Sequence, residues 1–102
     1  MLSLFNVATI KRMKLTYDSA KNQSNIDKHG LSLDEAKLLD WDEALSWVDD
    51  RKDYGEQRCA ALVPMKQRLY CVVYVDLKMN RRIISLRKAN NREIDRYEKE
   101  TN

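Results

Sequence analysis

Four apolar or alternating runs, Ala44 to Val48, Arg58 to Val63, Leu69 to Val75 and Arg82 to Leu86, fill the second half of the sequence and constrain it more than anything else. Such runs read as β-strands, some half-buried and some wholly buried. Turn chemistry separates them: Asp49-Asp50-Arg51-Lys52-Asp53-Tyr54-Gly55, Pro64-Met65-Lys66-Gln67 and Lys78-Met79-Asn80. These connections are too short for helical crossovers, so successive strands must run antiparallel. An antiparallel meander of about four strands is the expected frame.

Helical signals flank that frame. Lys14 to Tyr17 alternates and suits a short edge strand, after which Asp18 caps a helix over Ser19 to His29 that Gly30 ends in the left-handed conformation. That helix has little apolar content beyond Ala20 and Ile26. Ser32 and Glu35 form an S-x-x-E capping box for a short helix through Leu39, with Leu31 placed to staple against Ala36. Asn90 and Glu93 open a last helix whose Ile94 and Tyr97, spaced i, i+3, are suited to packing on the sheet. The fold class is therefore α+β: a short strand and two helices, the meander, and a C-terminal helix. At 102 residues the chain can bury one core, so residues 1–102 are expected to form one domain. Residues 1–13 read as an N-terminal extension without the features of a signal peptide.

Charge is unevenly spread. Residues 1–50 carry six Lys/Arg against nine Asp/Glu, and residues 51–102 carry thirteen against seven, giving halves of −3 and +6. From Arg81 to Arg92 there are five basic side chains (Arg81, Arg82, Arg87, Lys88, Arg92) and no acidic one. This suits a phosphate backbone, and equally a solvated strand end and helix start. Cys59 and Cys71 lie in apolar runs without C-x-x-C spacing, as buried thiols do in a reducing, cytoplasmic compartment.

With one histidine and two glycines, the chain has no histidine pair and no glycine-rich phosphate loop, and no metal or cofactor is expected. What remains is Lys28, His29, carboxylates and arginines. Such a set suits RNA cleavage, in which the 2′-hydroxyl attacks its neighbouring phosphate while arginines stabilise the added charge. Arg58, Arg82 and Arg87 could converge on one phosphate, but a regular strand sends Arg82 and Arg87 to opposite faces, so convergence requires a bulge or an early strand end. His29 suits proton transfer, yet a histidine before Gly30 at a helix C-terminus is also favoured by the helix dipole alone. The capping box already accounts for Glu35. Glu56 has no such structural role, although loops between strands are commonly charged. Tyr54 and Tyr97 could stack on bases, whereas Tyr74 reads as core.

Taken together, the segments Tyr17-Asp18 with Lys21, Asn25 and Lys28-His29-Gly30, then Ser32 with Glu35-Ala36, then Asp50-Arg51-x-Asp53-Tyr54-Gly55-Glu56 with Arg58, then Val72-Val73-Tyr74, Arg82-Ile83-Ile84-Ser85 with Arg87-Lys88-Ala89, and Glu93 with Tyr97 resemble the BrnT toxins of type II toxin–antitoxin systems. The resemblance runs from Lys14 to Glu98. It implies a RelE-like ribonuclease that inhibits translation, held by a ribbon-helix-helix antitoxin of the BrnA type with which it represses their operon. Carried over, the implied catalytic set is Lys28, His29, Glu35, Glu56, Arg58, Arg82 and Arg87, with Tyr54, Arg81, Lys88, Arg92 and Tyr97 as substrate-binding candidates. Tyr17 stands where a tryptophan is common, and Leu33 where an aromatic residue is common. The competing readings are a module that binds RNA or protein on the same basic face without cleaving, and a partner protein that only completes a DNA-binding complex.

Overall fold

The computed structural model describes residues 14–102; the expectation for residues 1–13 lies outside them. The elements are β1 (Lys14–Thr16), α1 (Ser19–His29), 3-10 helices over Leu33–Leu38 and Trp41–Glu43, β2 (Leu45–Asp49), β3 (Arg58–Met65), β4 (Arg68–Asp76), β5 (Asn80–Lys88) and α2 (Asn91–Thr101). They form an α+β structure around a five-stranded sheet of order β1-β5-β4-β3-β2. Strands β2 to β5 are the antiparallel meander. The short strand β1 joins at the β5 edge in parallel, from Lys14 opposite Asn80 to Thr16 opposite Arg82, so the sheet is mixed.

The largest apolar cluster lies on one face of the sheet, while Ala60, Leu62 and Cys71 are buried on the other. Ala61 and Val63 of β3, Tyr70, Val72 and Tyr74 of β4, and Ile83 and Leu86 of β5 pack against Leu31, Leu33, Ala36 and Leu39. The second expected helix is 3-10 rather than α, and its apolar spacing gives the reason. Leu33, Ala36 and Leu39 recur every three residues and are all buried, matching three residues per turn. Its capping box forms as the sequence indicates.

Helix α1 is held mainly by polar contacts, which accounts for its scarcity of apolar residues. The Asp18 carboxylate caps it by accepting from the Lys21 N–H, and Gly30 at φ 70° donates its N–H to the Ile26 carbonyl. Its one buried residue, Asn25, donates to the carbonyls of Leu31 (2.9 Å) and Leu86 (2.8 Å) and accepts from the Leu86 N–H (3.1 Å). Since β1 pairs with β5 only as far as Arg82, the Asn25 amide continues the ladder where that strand has ended. Asn22 likewise accepts from the Leu33 N–H at 2.7 Å.

Strand β5 is irregular at one place. Val73 faces Ser85 but Tyr74 faces Ile83, leaving Ile84 as an extra residue, a β-bulge.

Candidate active site

The bulge decides which arginines share a face. Ile83 and Leu86, on either side of it, both point into the core, so Arg82 before the first and Arg87 after the second both project from the opposite face. Arg58 joins them, because its neighbour Cys59 packs on the core side and Arg58 itself pairs with Asp49 across the β2–β3 ladder. The convergence that a regular strand forbids is thus obtained with one inserted residue.

Residues 50–57 bring a carboxylate to these arginines. Gly55, at φ 74°, donates its N–H to the Asp53 side chain at 2.9 Å, and the turn delivers Glu56 beside Arg82. The Nη2 of Arg82 lies 2.7 Å from each Glu56 oxygen. Arg58 Nε is 3.8 Å from the same carboxylate, and the Arg58 guanidinium lies 4.1 Å above the Tyr54 ring. Arg58 Nε is buried without a protein acceptor. The Arg82 hydrogen bond, aided by the charges of Arg82, Arg58 and Lys21, holds the Glu56 carboxyl below its ordinary range against a smaller opposing effect of desolvation. Glu56 is therefore ionised at neutral pH and can accept a proton.

Arg87 is on the same face but occupied. Its two terminal nitrogens meet Glu93 at 2.9 and 2.8 Å, and Glu93 also accepts from the Asn90 N–H that opens α2. The Arg87 hydrogen bond is the main cause of a lowered Glu93 carboxyl. Cys71 pairs with Arg87 in the ladder, and burial pushes its thiol up to about 11.

A scan of protein-family models matches residues 17–93 to the family described as the ribonuclease toxin, BrnT, of type II toxin–antitoxin systems. The chain belongs to the BrnT family. A search of curated proteins gives no match. The matched span contains every residue of the Tyr54–Glu56–Arg58–Arg82 cluster, and membership makes this BrnT chain a ribonuclease toxin with RNA as substrate and an antitoxin as partner. Among the described residues no helix is long and apolar enough to cross a membrane.

The other candidates of this BrnT chain lie elsewhere. Arg81 is on the core side, where it pairs with Asp76 at 2.6 and 2.9 Å and lies 4.7 Å from the Trp41 ring and 4.2 Å from the Tyr74 ring. Tyr74 is buried, as the sequence indicates. Lys88 ends β5 and Arg92 lies in the first turn of α2, both exposed. The Tyr97 hydroxyl donates to the Glu43 carbonyl at 2.7 Å and moors α2 beside β2. Glu35 accepts from the Ser32 N–H within the capping box. Lys28 and His29 are exposed in the last turn of α1. Lys21, whose charge acts on Glu56, is in the first turn, so His29 lies roughly 12 Å further along the helix axis.

Sequence reasoning missed Asp49 and Arg51. Asp49 is buried at the end of β2, and Arg51 grips it through Nε at 2.7 Å and Nη2 at 2.9 Å. The available signal was strand alternation: Asp49 extends the run of β2 and falls opposite Arg58.

Proposed function

We propose that this chain is a metal-independent endoribonuclease whose working centre is Glu56, Arg58 and Arg82 on the floor provided by Tyr54. The observation that carries this reading is the Glu56 carboxylate held by Arg82, with Arg58 stacked on Tyr54 beside it. RNA brings its phosphate to the two arginines. Glu56, ionised, takes the 2′-hydroxyl proton as that oxygen bonds to phosphorus; the bond to the 5′ oxygen breaks and the departing oxygen takes a proton from solvent. The products are a 2′,3′-cyclic phosphate and a 5′-hydroxyl. Arg58 and Arg82 stabilise the additional charge of the five-coordinate phosphate, a role for which loss of a single donor typically costs about 10²- to 10³-fold in rate. Metal independence is supported by the pairing of the carboxylates on this face with arginine, Glu56 with Arg82, Asp49 with Arg51 and Glu93 with Arg87, so that guanidinium groups supply the positive charge. Tyr54 offers its ring to a base where Arg58 leaves it uncovered.

The antitoxin, of the BrnA ribbon-helix-helix type, neutralises the toxin by covering this face and represses their operon with it. The toxin acts in the cytoplasm, where RNA cleavage inhibits translation and growth, and its architecture is of the RelE-like kind. The test is labelled RNA in excess EDTA with the purified, antitoxin-free chain beside an Arg58→Ala, Arg82→Ala double variant. Cleavage to cyclic phosphate ends by the native chain alone is the expected result. RNA bound but left intact by folded native chain would overturn the catalytic reading in favour of a binding module.

A further inference from the structure

We propose that the Asp49–Arg51 pair is a clamp that positions the catalytic segment, acting on cleavage through the placement of Tyr54 and Glu56 and not by touching RNA; this rests on the reading of Glu56 given above. Asp49 and Gly55 bracket the segment. Asp49 has a side chain only 3% exposed and sits in the β2–β3 ladder opposite Arg58, so its position is set by the sheet. Arg51 is 76% exposed, yet it makes a two-pronged contact with Asp49, and its N–H lies 3.4 Å from the same carboxylate. The chain is thereby turned back on itself as it leaves β2. Three residues later Tyr54 lies under Arg58, and two further on Glu56 meets Arg82. Without the clamp, the segment between β2 and β3 is tied by Asp53 to Gly55 and by its contacts with the arginines it must serve.

Planar, two-pronged recognition of a carboxylate is available to arginine and not to lysine, and this separates a clamp from a phosphate contact. A clamp fails in Arg51→Lys; a phosphate contact survives it. Misplacing a reacting group by about 1 Å can cost about 100-fold in rate. The experiment measures cleavage of a short RNA by the antitoxin-free chain and its Arg51→Ala, Arg51→Lys, Glu56→Gln and Arg51→Ala, Glu56→Gln variants, with thermal unfolding to confirm that each is folded at the assay temperature. The expected result is a kcat about 10- to 100-fold lower in both Arg51 variants, a KM that changes less than about twofold, and no further loss when Arg51→Ala is added to Glu56→Gln, as for residues acting through one unit. A raised KM with kcat retained and full rescue by lysine would make Arg51 an RNA contact and overturn the clamp, as would losses that multiply in the double variant. If Glu56→Gln alone leaves kcat intact, the assignment of Glu56 fails independently.

Discussion

Replacing Asn25 should cost the protein more than any other single polar substitution on α1. Its amide makes three hydrogen bonds, of 2.9, 2.8 and 3.1 Å, to Leu31 and to both backbone groups of Leu86, with the residue only 5% exposed. In Asn25→Ala two carbonyls and one N–H lose their partner. At about 1 kcal/mol net per hydrogen bond, rising to as much as about 3 kcal/mol for each group that water fails to reach, the loss is about 3 kcal/mol or more. A domain of this size has about 5–15 kcal/mol of stability in total, and 1 kcal/mol moves its midpoint by about 4–8 °C, so a fall of about 12 °C or more is expected. Asn25→Asp sharpens the test. A carboxylate still accepts from the Leu86 N–H but faces the two carbonyls with no donor, so at neutral pH it should be at least as damaging as alanine. Its carboxyl pKa is raised by folding, because burial and the carbonyls favour the neutral form. The penalty is therefore full at neutral pH and relieved as pH falls through the folded-state pKa. Thermal unfolding followed by circular dichroism between pH 5 and 8 measures both. An Asn25→Ala loss below about 1 kcal/mol, or an aspartate variant more stable than alanine at pH 7, would refute the idea that a side chain completes the β5 edge.

Three more outcomes are open to measurement. Glu93 has a folded-state carboxyl below its ordinary value because of Arg87, so the pair stabilises at neutral pH and that stability disappears as pH falls through the folded pKa; the gap in melting temperature between wild type and Arg87→Gln should narrow on acidification, and a constant gap would contradict it. Lys66 stands at φ 58° in the two-residue turn between β3 and β4, a left-handed backbone that is strained for a residue with a Cβ, so Lys66→Gly should raise stability by up to about 1 kcal/mol, as read by urea denaturation. Cys71, buried and with its thiol at about 11, should resist iodoacetamide at pH 8 while the protein is folded and react once urea unfolds it.

The parts of this fold that could be read from the sequence are those with local causes. Alternation and short turns place β2 to β5, and the caps Asp18, Ser32 and Asn90 each start a helix where they stand. The parallel pairing of β1 with β5 joins residues more than sixty positions apart and has no local signature. The bulge was recognisable as a requirement, since Arg82 and Arg87 could share a face only with one, but nothing in Ile83-Ile84-Ser85 fixes where it falls. At the site, Glu56, Arg58 and Arg82 were legible because each is a charged residue without a local structural role. Asp49 and Arg51 read as turn chemistry, and only burial shows that the first is an anchor. Glu93 read as a cap, which it is, while its second partner Arg87 depends on where α2 docks.

The bulge also makes the length of β5 a coded quantity. Four residues separate Arg82 from Arg87, an even number that in an ordinary strand means opposite directions. Deleting any one of them restores perfect alternation and leaves both arginines on one face without a bulge, whereas straightening the strand at its present length turns half of it over, sending an arginine into the hydrocarbon interior or an isoleucine out to water. Substitutions along this stretch can be graded by size and polarity; the parity of its length cannot, because at the present length only the bulge keeps inside from being exchanged for outside.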